Sequence, residues 1–502
     1  MLGKLDGDMT EQAWLENVQP ADWENPVANG RYNLVVIGGG PAGLVCAAGA
    51  AGLGAKVALI ERHRLGGDCL NVGCVPSKSV VRSGRAVAEI RRASSVGVVA
   101  TGDVSVDFGA VMARMRQVRT TISYHDAASR FRELGVDLFF GNGRFVGPDA
   151  VEVANQTIRF RRAVIATGAR PAIPPIPGLG EAGFFTNETI FDLTELPLRL
   201  VVIGAGAVGV ELAQAFARLG SQVTLVDALP RVLGREDEAV SAVLERVLQQ
   251  DGVTLCLGAQ IERVWQDNGE RFVQLTENGR QQIIATDAIL VAAGRRPNVE
   301  NLNLEAAGVA WNEHGVQVND RLQTTNRRIF AAGDVALPYQ FTHMADVAAR
   351  LVLQNALFMG RKKMSAVHVP YVIFTDPEVA HIGLYPHEAA ARGIAVDTFT
   401  TWLPETDRGR TDGLTEGFVS LYVQRGRDKI VGGTIVAPHA GEMIGELAVA
   451  MAAGVGLSKL TTVVHPYPTL AEAIRKTADA WNRTRLTPTV ARLFGLWFRL
   501  TR

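Results

Sequence analysis

The sequence predicts an α/β protein with two dinucleotide-binding domains and a separate C-terminal α+β domain, on three observations. An apolar run ending in a glycine turn occurs twice, as LVVIGGGPAG (34–43) and LVVIGAGAVG (200–209). Each copy leads into an alanine-rich helical stretch and a second apolar run ending on an acid, and Glu61 follows Gly38 by the same 23 residues that separate Asp227 from Gly204. From residue 369 the texture changes: VPYVIFTDPEVAHIG, FVSLYVQ and KIVGGTIVA read as antiparallel strands, followed by EMIGELAVAMAAGV and HPYPTLAEAIRKTADAW as helical segments.

A lone GxGxxG is weak evidence. Strand, glycines, helix, strand and acid at one spacing, twice, is strong, and two copies imply two dinucleotides. Gly38, Gly40 and Gly43 in the first copy, and Gly204, Gly206 and Gly209 in the second, permit a tight turn and close approach of backbone to a pyrophosphate at a helix N-terminus. Glu61 and Asp227 then accept hydrogen bonds from a ribose diol. Three more segments, VIATGA (164–169), LVAAGR (290–295) and FAAGDV (330–335), are apolar strands ending in glycine turns. They add Thr167, Gly168, Gly294 and Asp334 as cofactor-facing candidates.

Composition narrows the function. A chain of 502 residues fits about two to four domains. Its 51 Lys plus Arg balance 51 Asp plus Glu, which disfavours nucleic-acid binding. The balance hides two asymmetric ends: residues 1–30 carry six acids against Lys4, net −5, and residues 475–502 carry seven Lys or Arg against Asp479, net +6. No basic-then-apolar secretory signal opens the chain, so a cytoplasmic protein is expected. The uncharged run Leu34–Ala55 reads as strand, glycine turn and helix rather than as a membrane span.

The redox candidates lie in GGDCLNVGCVPSK (66–78). Cys69 and Cys74, on one regular helix, would be separated by a rise of about 7.5 Å, too far for a bridge. A disulfide therefore requires Cys69 to lie ahead of the first helical turn or to distort it, which Gly66, Gly67 and Gly73 permit; two free thiols are the alternative. A helix starting near Cys74 favours its thiolate and sets Lys78 on the same face. Cys46 and Cys256 lack such context and are assigned to packing.

The combination of this motif, two GxGxxG units, AAGD and a C-terminal α+β domain over roughly 32–480 resembles the pyridine nucleotide–disulfide oxidoreductases. These include dihydrolipoamide dehydrogenase, glutathione reductase and mercuric reductase. The resemblance implies a glutathione-reductase-like fold and a homodimer whose active sites are shared between subunits. It divides the chain into an N-terminal extension (1–31), an FAD-binding domain in two parts (32–196 and 301–368), an NAD(P)-binding domain (197–300), a dimerisation domain (369–480) and a basic amphipathic tail (481–502). Gly38, Gly40, Gly43, Glu61, Gly67 and Asp334 would bind FAD, and Gly204, Gly206 and Gly209 the nicotinamide cofactor. Lys78 would pair with Glu211 beside the flavin. Electrons would pass from NAD(P)H through the flavin to a Cys69–Cys74 disulfide, with Cys74 against the flavin and Cys69 towards the substrate. Asp227 favours NADH, with NADPH as the alternative because Arg231 and Arg235 follow it closely.

The disulfide-reducing relatives carry His-Pro-Thr with a Glu five residues after the His. Here Tyr467 replaces the His and Glu472 is retained. A phenol is a poor proton shuttle at neutral pH, and His465, two residues earlier, is read as structural. A Tyr here resembles the mercuric reductases, whose soft cation needs thiolates rather than a proton donor. Cys69, Cys74 and Tyr467 are the candidate groups for that metal, with Tyr124 as a looser match. The expected activity is reduction of a soft metal ion such as Hg²⁺. A dihydrolipoamide dehydrogenase or other disulfide reductase is the alternative, and a redox-sensing or membrane-attached flavoprotein the alternative of another class. Two departures from the mercuric reductases stand out: the first 30 residues hold no cysteine, and no vicinal pair lies near the C-terminus. In the tail, Thr487-Pro488 caps a helix whose apolar positions Val490, Leu493, Phe494, Trp497 and Phe498 form one stripe. Packing on the dimer is expected of it, with a membrane surface as the alternative.

Overall fold

The structure, a computed structural model, describes residues 7–99 and 104–502. Six positions of the acidic N-terminal segment, 1–6, lie outside the described residues. The chain forms two compact units. One comprises Met1–Ala86, Ser105–Pro230 and Gly252–Ala366, and the other Val87–Val104, Arg231–Asp251 and Val367–Arg502.

The first unit holds both dinucleotide folds. The strand Arg31–Ile37 pairs in parallel with Val57–Glu61 on one side and with Gln156–Ile165 on the other. The sheet extends in parallel to Val136–Phe140 and Ile329–Ala331, and through antiparallel partners to Arg144–Gly147. Leu34 to Ile37 are all buried because both faces of this strand are covered, which explains the run of aliphatics without alternation. Leu34, Val36 and Leu59 pack with the helix Pro41–Gly52 and with Thr342–Leu357, while Val35, Ile37 and Ala58 face a second cluster with Phe139 and Phe160. The uncharged run is thus divided between strand and helix, and no described helix is long and apolar enough to cross a membrane.

The second dinucleotide fold repeats the plan. Thr254–Leu257, Gln222–Asp227, Arg199–Ile203 and Ala288–Val291 form a parallel sheet in that order. A three-stranded antiparallel sheet (Gln260–Asp267, Glu270–Glu277, Arg280–Thr286) is inserted between its third and last strands in sequence. Its two hairpins turn on Asn268-Gly269 and Asn278-Gly279, all four residues at positive φ.

In the second unit, five antiparallel strands run in the order Pro370–Ile373, Glu378–Gly383, Ile430–Ala437, Phe418–Gln424, Val396–Trp402. The helices Ala440–Ala452 and Glu472–Arg483 pack on them through Leu447, Ile474 and Trp481. The helix Glu238–Gln250 also belongs to this unit. Its leading loop carries Glu236, a buried carboxylate that accepts hydrogen bonds from the hydroxyls of Tyr371 and Tyr385. The terminal helix Pro488–Leu500 has no buried residue.

Candidate active site

The two glycine turns are built alike. Gly38 and Gly204 have φ of 109° and 108°, a left-handed conformation that favours glycine. A Cβ on Gly38 would stand 2.3 Å from the Ala166 carbonyl, and one on Gly204 would stand 2.5 Å from that of Ala292. The segments VIATGA and LVAAGR thus share a pattern because each crosses the first glycine of its own turn. A Cβ on Gly43 or Gly209 would lie 1.8 Å from the carbonyl of the first glycine, so the third glycine admits the helix against the turn. The acids close both loops: Glu61 accepts from the Gly39 and His63 N–H groups, and Asp227 from those of Ala205 and Leu229. Burial pushes the Glu61 carboxyl up, against the pull of those N–H groups.

These residues fit the cofactors that the motifs imply. A Cβ on Gly206, whose φ is −76°, would meet nothing within 4 Å among the described residues, so neither packing nor backbone conformation explains its missing side chain, whereas Gly168 and Gly294 are at φ of 68° and 114°, which favours glycine. Gly40 and Gly67 face one another closely, and a Cβ on Gly67 would be 2.7 Å from the Gly40 Cα. Asp334 lies 3.5 Å from Arg295, which also reaches Asp68 at 3.4 Å. Burial raises the Asp334 carboxyl while Arg295 opposes it. Among the described residues the buried Arg295 Nε has no hydrogen-bond partner, leaving a donor beside the proposed FAD pocket. The Thr167 hydroxyl donates to the Asn298 carbonyl and ties the crossing segment down.

Cys69 lies in the short helix Gly67–Asn71, and Cys74 opens the helix Cys74–Arg92. The break between them satisfies the requirement that Cys69 precede the first turn. Both are present as thiols and interact directly. The Cys69 hydrogen bond lowers the Cys74 thiol to about 6, helped by Thr342, whose hydroxyl lies 3.2 Å from its sulfur, and by the charge of Lys78; burial opposes them. The same contact raises Cys69, with burial and the Cys74 charge adding to the effect. The stabilised thiolate therefore belongs to Cys74, and Cys69 holds the proton. Lys78 Nζ stands 2.7 Å from the buried Glu211 carboxylate. In the reduced, FAD-loaded protein, alkylation of Cys74 mapped by mass spectrometry is expected to rise with pH around a midpoint near 6, because only the thiolate reacts. Lys78→Met moves the midpoint upward; a wild-type midpoint at the ordinary thiol value of 9.0 overturns the assignment.

A support that the sequence reading did not identify comes from the N-terminal helix Gly7–Val18. Trp14 is buried, donates its indole N–H to Asn71, and lies beneath the guanidinium groups of Arg64 and Arg119. The Asn71 amide in turn donates to the carbonyls of Leu65 and Gly67, in the segment leading to Cys69. Cys46 and Cys256 are buried, as packing residues should be, and burial pushes the Cys46 thiol up to about 12.

In the second unit Tyr467 is 70% exposed, and the charge of Asp407 raises its phenol. Glu472 is buried and pairs with Arg475 at 2.7 Å and Lys476 at 3.5 Å rather than with Tyr467. His465 Nε2 lies 3.0 Å from the Glu446 carboxylate, and Nδ1 lies 3.3 Å from the Val463 carbonyl. Tyr124 is exposed on a short 3₁₀ turn. No cluster of three or more His, Cys, Asp or Glu suited to a metal occurs among the described residues.

Two dinucleotide turns, a dithiol at a helix start and an antiparallel α+β unit define a flavoprotein of the disulfide-oxidoreductase class. Residues 32–352 match the pyridine nucleotide-disulphide oxidoreductase family and residues 369–478 its dimerisation domain, and the chain belongs to this FAD-dependent, NAD(P)H-using family. Among its relatives, the mercuric reductase of Staphylococcus aureus is 36% identical over 93% of this chain and 86% of its own length. The dihydrolipoyl dehydrogenase of Thermus scotoductus is 35% identical over 90% of this chain and 98% of its own. A solved structure, the Cu(II) complex of the HOCl-induced flavoprotein disulfide reductase RclA from Escherichia coli, is 29% identical with a TM-score of 0.79, covering 90% of this chain and 100% of that one.

Proposed function

We propose that the protein passes two electrons from NADH through Cys69 and Cys74 to a soft metal ion such as Hg²⁺. The observation that carries this reading is a dithiol in a chain whose C-terminal segment has Tyr467 in place of an imidazole. FAD, when bound, supplies the conversion of a hydride into an electron pair that a disulfide accepts. It would be held by the 38–43 turn, Glu61, Gly67, Asp334 and the Arg295 Nε. Lys78 and Thr342 hold the Cys74 thiolate, and Cys69 keeps its proton until a metal displaces it. Two sulfur–metal bonds then form and one proton, that of Cys69, leaves. As both bonds break, the metal takes the electron pair and the disulfide re-forms, so each cycle oxidises one NADH and reduces one Hg²⁺. Tyr467, exposed on the dimerisation domain, is proposed to reach the partner subunit's dithiol.

NADH is preferred because the Asp227 carboxylate repels a 2′-phosphate. Arg231, the nearest following cation in sequence, is engaged by the Gly234 carbonyl and by Glu238. A second reading, a disulfide reductase, is favoured by His465, whose pairing with Glu446 is that of an oriented acid–base imidazole. Turnover of NADH and NADPH against Hg²⁺ or Cu²⁺ with excess thiol, lipoamide and glutathione disulfide separates the readings. Metal-dependent oxidation of NADH is expected. Brisk lipoamide turnover that falls in His465→Gln overturns the metal assignment.

A further inference from the structure

The terminal helix Pro488–Leu500 is well formed yet covered by none of the described residues. The Thr487 hydroxyl accepts from the Val490 N–H and Pro488 occupies the first turn, so the start is capped. Leu493, Phe494, Leu496, Trp497, Phe498 and Leu500 are each between 51% and 74% exposed. At about 100° per residue the apolar arc runs from Leu496 to Phe498, roughly 200° wide, with Trp497 near its centre. Arg492 and Arg499 lie on the opposite side. A core-facing helix needs a stripe of only about 100°, so this one is too broad for a single packing seam.

Charge identifies the surface that such an arc fits. Residues 480–502 contain five arginines, at 483, 485, 492, 499 and 502, and no acid. Two tails meeting across a twofold axis would set these like charges against one another. An anionic lipid surface complements them, accepts a half-cylinder of apolar side chains, and places an indole at headgroup depth. At 13 residues the helix is too short to span a bilayer.

We propose that the helix Pro488–Leu500 lies in the surface of an anionic bilayer, its Trp497 face at the acyl boundary and its arginines among the phosphates. It tethers the oxidoreductase to the membrane without crossing it. The test is flotation of the full-length, FAD-loaded protein with vesicles of phosphatidylcholine, with and without phosphatidylglycerol. The protein is expected in the vesicle layer only with phosphatidylglycerol, and at least tenfold less of it at high salt. The double variant Phe494→Glu/Trp497→Glu is expected to stay in the dense fraction while keeping its bound flavin and NADH oxidation. Equal flotation of wild type and variant, or flotation independent of phosphatidylglycerol, overturns the proposal. So does a variant that sediments as a monomer where the wild type is a dimer, because the face would then be a subunit contact.

Discussion

Cys69→Ala and Cys74→Ala are each expected to lower NADH-driven metal reduction by roughly a thousandfold or more, the scale of losing a reacting group that has no substitute. Each sulfur is needed to close the disulfide, and neither Cys46 nor Cys256 replaces it, since both are buried in packing positions. The two variants should differ at an earlier stage. Cys74→Ala removes the hydrogen bond and the charge that raise Cys69, so the remaining Cys69 should react with an alkylating reagent at a lower pH than it does in the wild type, with burial still opposing its thiolate. Cys69→Ala removes the hydrogen bond that contributes most to lowering Cys74, whose alkylation midpoint should rise from about 6. Reduction of the bound flavin by NADH should survive in both, because neither sulfur takes part in it. A Cys69 variant with full metal turnover would falsify the dithiol route.

The second large effect separates a glycine required by the fold from one required by a ligand. In Gly43→Ala and Gly209→Ala the new Cβ falls 1.8 Å from a backbone carbonyl, so the helix must move away from its turn. Overpacking of this kind costs about 1–3 kcal/mol and often more. Gly43→Ala should purify with little FAD and unfold at lower urea. In Gly206→Ala the Cβ enters open space, at a residue whose φ of −76° suits any side chain. Its fold and FAD content should be unchanged. The KM for NADH should rise at least tenfold, because the methyl group occupies the space in which backbone would meet a pyrophosphate. An unchanged KM with normal stability removes the 204–209 turn from the nicotinamide site.

Much of the fold was legible because the dinucleotide unit is local. Turn, helix start and acid lie within one βαβ segment, so their spacing survives whatever the rest of the chain does. The inserted three-stranded sheet was not identified, although Asn268-Gly269 and Asn278-Gly279 are strong hairpin signals. The edge strand Val396–Trp402 was also missed; its DTFTTW is half-buried and lacks the aliphatic run of its neighbours. Lys78 and Glu211 were paired through family resemblance, and the 2.7 Å contact joins them across 133 residues. Glu472 was assigned to the site from the retained motif; within the chain its carboxylate pairs with Arg475 and Lys476 on its own helix, one turn away, which the motif does not encode.

By itself the sequence determined that this chain carries two dinucleotide folds and a cysteine pair at a helix start. Those features depend on glycine's permitted φ, on helix geometry and on short spacings. Only the tertiary structure decided that Thr342, from 268 residues away, reaches the Cys74 sulfur. It also decided that Trp14 braces the segment ahead of Cys69 through Asn71, and that Arg295 joins Asp68 to Asp334. Such partners are chosen by the packing of distant segments, and no periodicity or local spacing encodes them.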